Sequence, residues 1–134
     1  MKYIILVALL TTALFSKSYK AFALEHKYET NYEKAVATAK KEKKDILMVE
    51  VTNYCPWCRK LEKKVLASQK VESYIHKNYV PLIVNREEGK LPKQFATPIV
   101  PVTYIISYKN DKEFKATPGY QSKSDFLHLL KKSK

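Results

Sequence analysis

The chain has 134 residues, enough for one compact domain around a single core and too few for a second. Its formal net charge of +12 marks a basic surface with a general attraction to anionic ones. The two cysteines are its whole complement, too few and too close together to brace a scaffold.

Met1-Lys2 and the run Tyr3 to Phe15 have the make-up of an export signal, a short charged region before an apolar segment too short to span a bilayer comfortably. Small residues flank a large one at Ala21-Phe22-Ala23, the expected cut, after which the chain turns polar at Glu25 and His26. Residues 1–23 are therefore expected to be a signal peptide and 24–134 the exported domain, with Ser16-Lys17-Ser18 as a second cleavage candidate. An uncleaved membrane anchor is the competing reading. Either way the domain lies outside the cytoplasm, and the periplasm is the expected compartment. Loss of Lys2, Lys17 and Lys20 leaves it strongly basic. The remaining lysines are scattered along helix faces (Lys40, Lys41, Lys43, Lys44; Lys60, Lys63, Lys64; Lys131, Lys132, Lys134) and read as solvated surface. Nucleic acid is a poor partner for an exported chain.

Tyr28, Tyr32, Ala35, Val36 and Ala39 recur at helical spacing, so Thr30 to Lys44 is predicted to be an amphipathic helix. Asp45 to Thr52 follows as a strand buried on both faces, interrupted by Glu50. From the cysteines to Leu66 the apolar face of Cys58, Leu61 and Val65 predicts a helix, with Arg59, Lys60, Glu62 and Lys63 outward. Ser68 to Lys77 continues as a second helical piece. Val80 to Asn85 is a second buried strand and Arg86 to Lys90 a polar loop ending at Gly89. A short helix over Leu91 to Phe95 precedes Thr97-Pro98-Ile99-Val100-Pro101, which the two prolines make irregular. Val102 to Ser107 is a third strand. A turn at Lys109-Asn110-Asp111 leads to a fourth around Glu113 to Ala116, which Pro118-Gly119 ends. Ser122 to Asp125 forms a capping box for a last helix that buries Phe126, Leu127, Leu129 and Leu130. A strand–helix–strand unit gives a parallel pair and a tight turn an antiparallel one, so the sheet is mixed and four-stranded, α/β, with helices on both faces.

Both cysteines lie in Cys55-Pro56-Trp57-Cys58, where the strand gives way to a helix. Thiols at a helix N-terminus can close a small disulfide and reopen it, and the dipole and free N–H groups favour a thiolate on the first. Cys55 is the expected nucleophile and Cys58, one turn in, the resolving thiol. Pro56 and Trp57 tune the pair, and Trp57 is also a candidate for substrate contact. A closed zinc site wants four ligands, and His26, His76 and His128 show no ligand spacing. Arg59 after the second cysteine excludes the haem-attachment pattern. No metal or other cofactor is expected, although a metal-handling or binding module using the cysteine pair stays open as an alternative.

The order of elements, the C-x-x-C at the end of the first strand and the apolar-Pro-apolar-Thr opening of the third resemble the thioredoxin fold, over Tyr28 to Lys132. The phrases Tyr54-Cys55-Pro56-Trp57-Cys58-Arg59-Lys60-Leu61-Glu62, Val84-Asn85-Arg86-Glu87 and Pro118-Gly119-Tyr120-Gln121-Ser122 are similar to exported bacterial thioredoxin-like proteins, such as the SoxW group and the C-terminal domain of the membrane thiol reductant transporter. The resemblance implies that Pro101 is a cis-proline facing the cysteines, with Val100 offering backbone groups to an extended substrate. It also marks a departure. The buried acid that many thioredoxins carry six residues before the first cysteine is replaced by Val49, and Glu50, one residue on, is the remaining candidate for the proton shuttle despite pointing to the other face. The expected function is reduction of protein disulfides by a monomer recharged from a membrane-bound thiol donor, with an oxidase or isomerase as runner-up.

Overall fold

The computed structural model describes residues 19–134. Most of the expected signal peptide and the second cleavage candidate, Ser16-Lys17-Ser18, lie outside the described residues. The elements are α1 (Tyr19–His26), α2 (Tyr32–Glu42), β1 (Ile46–Val51), α3 (Pro56–Leu61), α4 (Gln69–Asn78), β2 (Val80–Asn85), β3 (Val102–Ile106), β4 (Phe114–Pro118) and α5 (Lys123–Lys132). The strands form one sheet in the order β2-β1-β3-β4. β1 is parallel to β2 across the helical crossover and antiparallel to β3, and β3 is antiparallel to β4. This is the mixed four-stranded sheet that the sequence predicts.

Strand alternation sorts the core into two layers. Leu47, Val49 and Val51 face one side, with Cys55, Cys58, Val71 and Ile75 of α4 and Phe126 and Leu130 of α5. Ile46 and Met48 face the other, against Ala35 and Ala39 of α2, Phe95 and Tyr104. Glu50 continues the second set and is 1% exposed.

Local chemistry sets the element ends. Asn31 caps α2 by accepting the Lys34 N–H at 2.9 Å, and Lys43 closes it in the left-handed region at φ 54, so the helix is shorter than the predicted Thr30–Lys44. β4 starts one residue later than predicted and runs on to Pro118. Its place at the sheet edge tolerates a residue that cannot donate to a ladder.

Two features depart further from the sequence reading. Residues Glu62–Leu66 form a π-helical turn in which the Ala67 N–H donates to the Glu62 carbonyl at 2.9 Å. The wider turn lets Leu61, Glu62, Val65 and Leu66 all face inward, so Glu62, predicted to point outward, is buried. The other is α1, which spans the expected cut. Tyr19, Phe22 and Ala23 are buried in the same layer as the cysteines. Phe22 stacks on His26 with ring centroids 4.5 Å apart and meets Tyr28 edge-on at 5.2 Å. His26 Nδ1 lies 3.1 Å from Glu72 Oε1, and His76 Nε2 donates to the His26 carbonyl at 2.9 Å.

Candidate active site

β1 ends at Val51, and the chain turns over the edge of the sheet to Cys55, the N-cap of α3, with Pro56 at the first helical position. Proline suits that place because its fixed φ is helical and its missing N–H would have no partner there. The Cys55 Sγ accepts the Cys58 N–H at 3.1 Å. The two cysteines form a disulfide with Cα atoms 5.1 Å apart. Cys55 keeps 7% of its surface exposed and Cys58 none. Once the bond is reduced, the helix start favours negative charge on Cys55.

Around this pair the surface is aromatic. Tyr54 is fully exposed and Trp57 half exposed. Trp57 and Tyr120 lie 5.5 Å apart, and the Lys60 Nζ sits 4.7 Å from the Trp57 ring and 4.9 Å from the Tyr120 ring, a cation shared by two π faces. Trp57, Val100, Pro101, Gly119 and Tyr120 line a cleft of about 360 Å³. The Val100–Pro101 peptide bond is cis. The Pro101 carbonyl accepts the Gly119 N–H at 2.7 Å, and Gly119 has φ 88, a conformation that side chains rarely adopt. The cleft thus brings Trp57, Val100 and Pro101 together, and adds Tyr120, which lies far along the chain and carries no local signal.

The two acids near the motif have different surroundings. Glu50 is on the sheet face away from the cysteines, with Oε1 2.8 Å from Arg86 Nε. Its charge, second to burial, helps push the Tyr104 hydroxyl up to about 12. The carboxylate is thus partner-bound. Glu62 is on the cysteine side, one turn after Cys58, and its N–H donates to the Cys58 carbonyl. Burial pushes the Glu62 carboxyl up to about 7, opposed by Arg59, whose Nε is 2.7 Å from Oε2. The signal for Glu62 was present as an acid four residues after Cys58, but a regular helical repeat turns it outward. Among the described residues no three His, Cys, Asp or Glu side chains group as a metal site. Among the same residues no helix is long and apolar enough to cross a membrane.

A family profile described as a thioredoxin-like domain matches residues 32–134. No curated protein matches by sequence. Similar solved structures include a thioredoxin from Thermus thermophilus, with TM-score 0.65 and 17% identity over 79% of this chain and 85% of that one. The oxidised C-terminal domain of DsbD from Neisseria meningitidis has TM-score 0.64 and 13% identity, covering 80% and 99%. A disulphide isomerase from Xylella fastidiosa has TM-score 0.56 and 18% identity, covering 75% and 86%. At these identities the likeness is one of fold.

Proposed function

The chain belongs to the thioredoxin-like domain family, and from that premise we propose that it is an exported thiol–disulfide oxidoreductase that reduces protein disulfides. The observation that carries this is the Cys55 sulfur at the start of α3, accepting the Cys58 N–H beside an open aromatic cleft.

In the reducing direction the Cys55 thiolate attacks one sulfur of a client disulfide, forming a mixed disulfide and expelling the other client sulfur as a thiolate. Cys58 then gives up its proton and attacks the Cys55 sulfur. The second client thiolate leaves, and the protein ends as the Cys55–Cys58 disulfide. A membrane-bound thiol donor returns the two electrons. Glu62 is the base for the Cys58 proton and hands it on to the departing client thiolate, since a carboxyl raised to about 7 can both take and give a proton near neutrality. A base beside the resolving thiol serves the release step, which supports the reductive direction. Val100 and Pro101 present backbone to the client, and Trp57 packs against it.

Export to the periplasm, action as a monomer and a leader cut after Ser18 complete the proposal. The packing of Tyr19, Phe22 and Ala23 supports that site over the one at Ala23.

The test is a reduction potential together with a trap. A value near the ~−270 mV of thioredoxin fits a reductant, whereas one near ~−120 mV would make it an oxidase. The Cys58→Ser variant, expressed with its leader in a periplasm, should hold clients as mixed disulfides on Cys55. Capture of none, with no reduction of a peptide disulfide by the wild type, would refute the exchange reaction.

A further inference from the structure

Resting on that exchange reaction, we infer that Glu50 and Arg86 form a positioning device that fixes the client-binding loop from the far side of the sheet. The loop of residues 97–101 has no regular structure, and Ile99 is half exposed at its crest. Two of its carbonyls are tied down. That of Pro101 accepts the Gly119 N–H at 2.7 Å, and that of Ile99 accepts Arg86 Nη2 at 2.8 Å. Val100 lies between these anchors and lines the cleft beside Trp57. The two bonds together set the direction in which the Val100 backbone meets an extended chain.

Arg86 can hold that carbonyl because its own guanidinium is held. Its Nε is 2.8 Å from Oε1 of Glu50, a residue 1% exposed on a central strand. The rigid guanidinium fork places one nitrogen on the carboxylate while another reaches the loop, which the single ammonium of lysine does not reproduce. A buried ion pair adds little net stability over an apolar pair of the same volume. An apolar residue at position 50 would suit neighbours such as Met48, Val84 and Val102. The pair is better explained by the geometry it imposes.

The same turn reaches the other wall of the cleft. Asn85, which caps the Arg86–Glu88 turn by accepting the Glu87 N–H at 2.9 Å, donates to the Asn53 side chain at 2.6 Å. Asn53 donates in turn to Glu87 at 2.5 Å, two residues before Cys55. One turn after β2 therefore sets the cysteine loop and the Val100 loop in register with each other.

Steady-state reduction of a peptide disulfide and of the small hydroxyethyl disulfide separates positioning from chemistry. Arg86→Met in a Glu50→Gln background, which leaves no charge buried, should raise KM for the peptide about tenfold more than for the small disulfide. Arg86→Lys, a milder change that protects against a folding failure, should move the ratio the same way by less. Equal losses on both substrates, or an unchanged ratio in both variants, would overturn the device. A wild type that reduces neither substrate would instead overturn the exchange reaction itself, so the two failures are distinguishable.

Discussion

The Cys55 sulfur accepts the Cys58 backbone N–H at 3.1 Å, so the atom that must carry charge during exchange already faces the start of α3. In a Cys58→Ser variant, which keeps that N–H, Cys55 should titrate below the ~8.5 of a free thiol. The pH dependence of thiolate absorbance or of alkylation rate measures this. A value at or above that of a free cysteine would remove Cys55 as the activated nucleophile.

Glu62 gives stability a pH signature. Its carboxyl is raised by burial from the ordinary 4.5 to about 7, so the folded state binds a proton that the unfolded chain has already released. This contribution is full below about 4.5 and is lost as pH rises to about 7. Relative to Glu62→Gln, the wild type should lose stability across that window and run parallel outside it. Denaturant melts of both at several pH values test this, and parallel curves throughout would contradict the burial argument.

The same substitution should slow the chemistry. With a base removed from beside Cys58, resolution of a mixed disulfide is expected to fall on the order of 10²-fold near neutral pH. Stopped-flow decay of a pre-formed Cys55 mixed disulfide reads that step alone. An unchanged rate would leave the proton to solvent.

Lys60 is held between Trp57 and Tyr120, and it gives one wall of the cleft its positive charge. A contact of this kind is worth ~0.5–1 kcal/mol at an exposed site, so Lys60→Met should raise the peptide KM by about two- to fivefold. Tyr120→Ala removes one ring and a wall of the cleft, and should cost more. Equal kinetics for both variants and wild type would take client contact away from this surface.

The N-terminal helix predicts where the leader is cut. A chain beginning at Leu24 lacks the buried Tyr19, Phe22 and Ala23, and loss of a buried aromatic alone costs ~3–5 kcal/mol. A chain beginning at Tyr19 should be more stable by that order, and the intact mass of exported protein should start at Tyr19. Equal denaturant midpoints, or an exported chain starting at Leu24, would count against retention of α1.

The sequence by itself determined whatever depends on neighbours along the chain. The apolar runs of β1, β2 and β3 marked buried strands, Ser122 and Asp125 marked the cap of α5, and alternation was enough to turn Glu50 away from the cysteine face. Cys55 at the head of α3 was legible for the same reason, since the strand-to-helix change and the Pro56 start are local signals. Only the tertiary structure decided which acid stands on the cysteine side, what holds the Val100 loop and what α1 packs against. The inward face of Glu62 depends on a π turn that breaks the regular helical repeat. Arg86 meets Glu50 and Ile99 across gaps of 36 and 13 residues, and Tyr120 reaches Trp57 from beyond β4. Periodicity reads which way a side chain points from its own element, whereas a partner is chosen by how the elements pack, and that is a property of the whole chain.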